Sequence, residues 1–357
     1  MKRALRWVAT FFATLLGLFV TLALAMRLTP YPAIDAAPGR AIPGVFHVHA
    51  EVSHDGHGTL DEATRAAAEA GARFLVLTEH NVLRPDGPLV QNGVLVIPGV
   101  EISSKPGHVI AVGLAEVPPK EERGPQVLEA IAARGGAAVL AHPVNVRRPW
   151  SDPSPDGFAG FEVLSLDSAF RTAKAEKPWL LGLAAGALVG HPPKTGAILM
   201  ERPADAFARY DEIAKARDLT LLCGVDAHGL PPYPASFGAL RLFVPAARWT
   251  GDAQADAAAI VAAIREGDTF CSVPALGDAS SFSFVLGDEA VARVAAEGVT
   301  LTIFRDGVEV ARGPGPELRV PAGAGVWRAE VAVVAPGFPF RDGALWIASS
   351  ARRAHTG

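Results

Sequence analysis

Val45-Phe46-His47-Val48-His49, a helix-forming stretch from Thr59 to Ala72, and then Phe74-Leu75-Val76-Leu77-Thr78-Glu79-His80 together decide how this chain folds. The first segment reads as a short strand. The last opens on four apolar residues, as a strand buried on both faces does. Between them, Thr59 precedes Asp61 and Glu62 in a first turn and Gly71 stands near the end, the order of charges and caps that a helix favours. Strand, helix and strand in succession make the repeating unit of an α/β sheet.

The same alternation continues toward the C-terminus. Strands are expected at Val94–Ile97, Val109–Val112, Ala137–Ala141, Phe161–Leu164 and Leu219–Gly224, and helices at Gln126–Arg134, Ala204–Arg217 and Ala253–Glu266. Short apolar strands alternating with helices predict a parallel α/β architecture closed into a barrel, over residues 45–277. The apolar stretch Pro178–Gly190 is too short to cross a membrane and reads as a buried helix or a lid beside the active site. Past residue 278 the pattern changes. Leu301–Phe304, the turn Arg305-Asp306-Gly307 and Val308–Val310 give a hairpin signal, and Leu318–Val320, Trp327–Val334 and Ala344–Ile347 add strands. Residues 278–357 therefore read as a small all-β sandwich.

Toward the N-terminus, Lys2, Arg3 and Arg6 precede an uncharged run from Trp7 to Met26, long enough to cross a bilayer as a helix. Three basic residues in front and only Arg27 close behind predict a cytoplasmic N-terminus and an extracytoplasmic, periplasmic body. Ala23-Leu24-Ala25 offers the competing reading of a cleaved signal, which would release the body as a secreted protein. Residues 1–27 are thus an anchor or signal segment. Residues 28–44, with four prolines, suit an extended linker.

Of the 357 residues, 50% are apolar and 20% charged, and the formal net charge is -4. This describes an ordered globular protein and argues against a chain built to coat nucleic acid. Cys223 and Cys271 are the only cysteines and read as two buried thiols. Any metal must then be held by His and carboxylate. No Walker loop, dinucleotide fingerprint or nucleophile elbow is present.

The chemistry lies where the strands end. His47 and His49 flank Val48, so alternation puts both imidazoles on one side of a strand. Asp55 follows in the turn Ser53-His54-Asp55-Gly56. His80 comes just after the apolar strand Phe74–Leu77, Glu101 follows Val96–Val100, His142 follows Ala137–Ala141, and Asp226 and His228 follow Leu221–Val225. In α/β barrels the carboxyl ends of the strands converge on the active site. Five of the chain's ten histidines occupy such ends, with carboxylates interleaved and no thiolate. Eight ligands exceed the needs of one ion, so two or three divalent metals are expected, Zn, Mn or Fe. Metals close together acidify a shared water and polarise the bond to be cleaved, so the expected reaction is hydrolysis. Asp226 is a candidate proton acceptor as well as a ligand. His54, His57 and Asn81 are candidates to steady the substrate, and Arg84, Arg147 and Arg148 to clamp a phosphate.

The segments His47-Val48-His49, Ser53-His54-Asp55-Gly56, Leu77-Thr78-Glu79-His80-Asn81, Gly99-Val100-Glu101-Ile102-Ser103, Ala141-His142-Pro143 and Gly224-Val225-Asp226-Ala227-His228-Gly229 occur in the order of the motifs of the PHP (polymerase and histidinol phosphatase) superfamily, which this chain resembles over residues 45–230. Glu79 departs from that pattern, which commonly has Asp before the histidine. The resemblance implies a distorted (β/α)7 barrel with a di- or trinuclear site held by His47, His49, Asp55, His80, Glu101, His142, Asp226 and His228. His108 falls where some members place a further ligand. Ser-His-Asp-Gly-x-Gly-Thr at the first turn, with a C-terminal β module, looks most like the CehA/McbA branch. The implied activity is hydrolysis of a small-molecule phosphate ester. A carbamate or carboxyl ester, a phosphodiester of an oligonucleotide or lipid headgroup, and a non-catalytic metal-stabilised scaffold are the alternatives.

Overall fold

The computed structural model of the protein describes residues 2–152 and 156–354. Helix α1 (Lys2–Leu28) is followed by strand β1 (Ile42–Val48), helix α2 (Leu60–Glu69) and strand β2 (Phe74–His80). Thr59 caps α2 through a reciprocal capping box with Glu62. Next come β3 (Leu89–Gln91), β4 (Val94–Ser103), β5 (His108–Val112), α3 (Val127–Ala133), β6 (Ala137–Leu140) and β7 (Gly160–Ser165). The run α4 (Leu166–Glu176), α5 (Pro178–Gly190), α6 (Lys194–Ala197) and α7 (Ala204–Ala216) leads to β8 (Thr220–Gly224), then α8 (Tyr233–Phe237), β9 (Arg241–Val244), α9 (Ala253–Glu266) and β10 (Phe270–Ser272). Asp252 caps the start of α9, and Gly267, at φ 71°, ends it in the left-handed conformation.

The fold is mixed α/β around one large sheet, in which β1, β2, β4, β5, β6, β7 and β8 are neighbours in that order. The expected parallel sheet is corrected at several strands: β3 runs antiparallel to β4, β9 to β1 and β10 to β9, and one antiparallel strand lies among the seven. β1, β2 and β4 pair in parallel, as do β6, β7 and β8, but β5 runs antiparallel to both β4 and β6. The reason is the link of residues 104–107, closed by a hydrogen bond from Ser104 N to Gly107 O (3.0 Å). It is far too short for the crossover that parallel neighbours require. Just past β8 the chain returns to β1, where Val225 N donates to Phe46 O (3.1 Å) and His49 N to Ala227 O (2.8 Å).

The C-terminal strands are β11 (Ser283–Leu286), β12 (Glu289–Arg293), β13 (Val299–Arg305), β14 (Val308–Pro314), β15 (Glu317–Pro321), β16 (Gly325–Val333), β17 (Ala344–Ser349) and β18 (Arg352–Ala354). Asp306 and Gly307, both at positive φ, turn β13 into β14 as the hairpin signal predicts. β11, β12 and β15 form a second sheet, while β13, β14, β16 and β17 continue the large sheet through the pairing of β17 with β10. Residues 355–357, the end of the expected module, lie outside the described residues.

Two further expectations change. The two cysteines read as free thiols form a disulfide, because β8 and β10 bring Cys223 and Cys271 to a Cα separation of 6.0 Å. The linker before β1 is extended but fastened. Ala33 N donates to Ala275 O, Ile34 N to Leu276 O and Ala37 N to Ala295 O, at 2.9–3.0 Å.

Candidate metal centre

The strand ends deliver their side chains to one place, and the local backbone is bent to do it. His47 lies in a bulge of β1, where the register against β2 slips between Phe46 and Val48, and its φ is 67°. Simple alternation therefore does not align His47 with His49; the bulge does, and their ring centroids lie 5.2 Å apart. His142 (φ 31°) and Asp226 (φ 46°) also sit at positive φ just after their strands. Such conformations are costly for residues with a Cβ and cluster at functional sites.

Four ligand atoms meet at the centre. His47 Nε2 lies 3.4 Å from Glu101 Oε2 and 3.2 Å from Asp226 Oδ1, and His49 Nε2 lies 3.4 and 3.2 Å from the same two oxygens. All four atoms are buried and make no hydrogen bond. Unpaired buried polar atoms are rare because each costs a lost solvation shell. A tetrahedral ion with ligands at about 2.0–2.1 Å has edges of about 3.3–3.4 Å, so the spacing fits a cation better than a set of failed hydrogen bonds.

Two more groups flank the first. Asp55, His80 and His228 converge with His49, and Asp55 Oδ2 stands 3.3 Å from both His80 Nε2 and His228 Nε2. The loop that returns Asp55 is tied at Ser53, whose Oγ donates to Asp55 Oδ1 (2.9 Å) and accepts from His80 N (3.2 Å). Glu101, His108 and His142 make the third group, with Glu101 Oε1 2.7 Å from His108 Nδ1 and 3.2 Å from His142 Nε2. His108 reaches it because β5 is antiparallel: the residue that opens β5 lies at the edge where its neighbours end. These buried His, Glu and Asp clusters can hold metal ions, and Glu101 belongs to two of them.

The electrostatics suit cations. Burial opposes charge on His47, yet the carboxylates of Glu162, Asp226 and Glu101 raise its pKa well above the usual imidazole range. Burial likewise opposes the shift at His142, but Glu101 and Asp226 raise it to about 9. Burial lowers His80 to about 4. Burial opposes ionisation of Glu101 and Asp226, but His47 together with the neighbouring imidazoles, His108 and His142 at Glu101 and His49 at Asp226, holds both far below the ordinary carboxylate range.

Glu162, in the middle of β7, is the functional residue that sequence reading passed over. Its Oε1 lies 2.8 Å from His47 Nδ1 and its Oε2 accepts from His142 N (2.7 Å). A carboxylate behind an imidazole fixes its tautomer and turns the other nitrogen toward the ion. Gly224 leaves room for it, since a Cβ there would strike the Glu162 carboxylate. The signal was a lone acidic residue inside the apolar strand Phe161–Leu164. His228 is oriented similarly, its Nδ1 2.9 Å from the Asp226 carbonyl.

The cluster opens into a cleft of about 950 Å³. His54, His57, Arg147 and Arg148 line it, as does Arg171 from α4. Arg148 donates to His108 Nε2 (2.7 Å), which leaves His108 Nδ1 facing Glu101. Asn81 and Arg84 do not line this cleft. Asn81 Oδ1 accepts from Arg123 Nη1 (2.8 Å) and Ser103 N (3.1 Å), and Arg84 pairs with Glu51 (3.2 Å), so both are held elsewhere. Glu79 is no ligand: its Oε2 accepts from Ala50 N (2.9 Å) and so steadies the loop carrying Asp55. No family model matches the chain, and no curated protein matches it significantly.

Proposed function

We propose that this protein is a metal-dependent hydrolase of the PHP type, most like the CehA/McbA branch, acting on a phosphate ester or related ester. The observation that carries the reading is the set of four buried, otherwise unbonded atoms of His47, His49, Glu101 and Asp226, with nitrogens 3.2–3.4 Å from oxygens, a spacing that suits a shared cation. A single structural ion needs one closed shell, whereas here two further ligand groups adjoin an open cleft, as a catalytic centre requires. Bound ions would supply an acidified water and positive charge for the developing oxyanion. The protein's own groups do the rest. Arg147, Arg148 and Arg171 offer guanidinium donors to an anionic ester, Glu162 holds His47 in its ligating tautomer, and Asp226, a carboxylate kept ionised by the imidazoles around it, serves as a ligand and not as the proton acceptor.

The antiparallel β5 and the return of the chain from β8 to β1 support a distorted seven-stranded barrel. The Cys223–Cys271 disulfide supports an extracytoplasmic body, since such bonds persist in oxidising compartments. That fits α1 as an anchor whose first turns carry Lys2, Arg3 and Arg6.

The test is turnover by the detergent-solubilised full chain, loaded with manganese or zinc, on p-nitrophenyl phosphate, its bis-ester and a carbamate ester. Hydrolysis of one phosphate ester that is lost on chelation and regained on reloading is expected. A preference for the carbamate would move the substrate class, and silence on every ester with metals bound would overturn the hydrolase.

A further inference from the structure

The cleft has a second wall, and it contains no charge. Helix α5, Pro-Trp-Leu-Leu-Gly-Leu-Ala-Ala-Gly-Ala-Leu-Val-Gly, turns Leu181, Ala184, Ala185 and Leu188 to the cleft, the spacing of one helical face. Another face receives α1. A Cβ on Gly186 would lie 2.6 Å from Leu22 Cδ2, and one on Gly190 would collide with the Ala23 carbonyl. Small residues four apart let two helices approach this closely. Met26 is fully buried in the contact. Lys194, itself buried, donates from Nζ to Met26 O (2.8 Å), Thr29 O (2.9 Å) and Thr29 Oγ1 (2.6 Å), closing the carbonyls at the end of α1. The apolar helix is therefore docked on the wall of the cleft, not hinged away from it.

This docking sets a height. The run Trp7–Met26 rises about 28 Å at 1.5 Å per residue, close to the roughly 30 Å of a hydrocarbon layer. Leu22, Ala23 and Met26, which touch α5 and α6, lie in its last turns. With α1 seated as a span, α5 meets the bilayer surface and the cleft lies one helix diameter behind it, about 10 Å. Large apolar side chains are exposed on α5, Val189 (64%) and Trp179 (53%, with the Arg341 guanidinium 5.0 Å from its ring), and at the cleft rim, Phe170 (44%) and Leu230 (70%). Exposed apolar surface joined to a membrane helix marks a lipid-facing surface.

We propose that the cleft takes an amphiphilic phosphate ester from the leaflet in which α1 ends, with the ester at the metal-ligand cluster and the hydrocarbon chain along α5. The proposal rests on the phosphoesterase reading. In the reaction a water oxygen bonds to phosphorus, the ester P–O bond breaks, and the proton that water loses ends on the leaving alcohol oxygen. The phosphate meets Arg147, Arg148 and Arg171, and the chain meets Leu181, Ala184 and Leu188.

Two measurements on the full-length, manganese-loaded protein in phosphatidylcholine nanodiscs test it. The first is kcat/KM for butyl, octyl and dodecyl phosphate beside p-nitrophenyl phosphate. A rise of at least tenfold from butyl to dodecyl is expected, flattened in Leu188→Gln and kept in Leu188→Met. The second is a nitroxide on Val189→Cys, the sole free thiol because Cys223 and Cys271 are joined. Stronger relaxation by oxygen than by an aqueous nickel chelate is expected. Hydrolysis of p-nitrophenyl phosphate with no gain along the series, or a label that reports water, would overturn the lipid substrate and leave a hydrolase of water-borne esters. Metals bound with no ester hydrolysed would remove the phosphoesterase itself, and this substrate with it.

Discussion

Two clusters of buried charge among the described residues are finished to different degrees. At the joint between α7 and β16, Arg328 donates from Nε and Nη2 to the two oxygens of Asp211 (2.6 and 2.7 Å) and from Nη1 to Glu330 (2.5 Å). Arg202 adds two bonds of 2.7 Å to the oxygens of Glu330. The Arg328 guanidinium also lies 4.1 Å from the Phe304 ring centroid. Every nitrogen of Arg328 and every oxygen of the two carboxylates is used. At the strand ends, by contrast, His47, His49, Glu101 and Asp226 each keep a buried atom aimed at a common point with nothing bonded to it. Burying charge is costly in both places. Where the cost is met inside the protein the cluster is a joint between elements; where it is left open, the cluster can hold a metal ion.

Breaking each cluster separates the two roles. Glu101→Gln removes a carboxylate that offers one oxygen to each of two ligand groups, so metal content and hydrolysis should both collapse, the latter on the order of 10⁴-fold, while circular dichroism stays that of a folded protein. Asp211→Ala strands a buried guanidinium, so denaturant melts should show a loss of about 3 kcal/mol or more, with metals per folded molecule unchanged. If Asp211→Ala lost its metals while folded, the division between joint and site would fail.

Glu162→Gln sharpens the contrast within the site. It leaves every ligand in place but takes the carboxylate from behind His47, and metal affinity by competition with a chelator should fall about 10- to 100-fold. Unchanged affinity would make Glu162 a packing residue only.

The pH dependence follows from His142. Without metal its imidazole, raised from 6.5 to about 9, holds a proton that an incoming ion must displace. Affinity should therefore rise with pH, by about tenfold per unit for each proton released, between neutrality and pH 9. Calorimetry in two buffers of different ionisation enthalpy counts those protons. The sign reverses for folding of the metal-free protein: the stabilisation from charged His142 is full below pH 6.5 and is lost as pH rises through about 9. The smallest effect is expected at Asn81→Ala, whose amide serves Ser103 and Arg123; kcat/KM should change by less than about threefold.

Much of this site was legible in the chain because strand ends are. His47, His49, His80, Glu101, His142, Asp226 and His228 each follow or close an apolar run, and period and burial fix where such runs stop. The turn bringing Asp55 back was legible for a similar reason, since Ser53 and Gly56 are turn residues. What escaped depends on pairing between distant strands. The direction of β5, which carries His108 to the site, and the bulge that turns His47 inward are properties of register. So is the approach of Cys223 to Cys271, 48 residues apart in sequence. Asn81 and Arg84 follow a ligand in sequence, but nearness along a loop does not set the direction of a side chain. Glu162 was hidden by its surroundings, a single carboxylate in a strand otherwise suited to the core.

The unbonded atoms at the strand ends form three groups that could hold a metal ion. Metal stoichiometry tests that capacity most directly: elemental analysis of the full-length protein, purified without chelator, reloaded with manganese or zinc and freed of excess metal. Two or three ions per chain, falling in Glu101→Gln but not in Asp211→Ala, is the predicted result. A protein that folds and retains no ion after reloading would contradict it, and the open cluster would then need another partner.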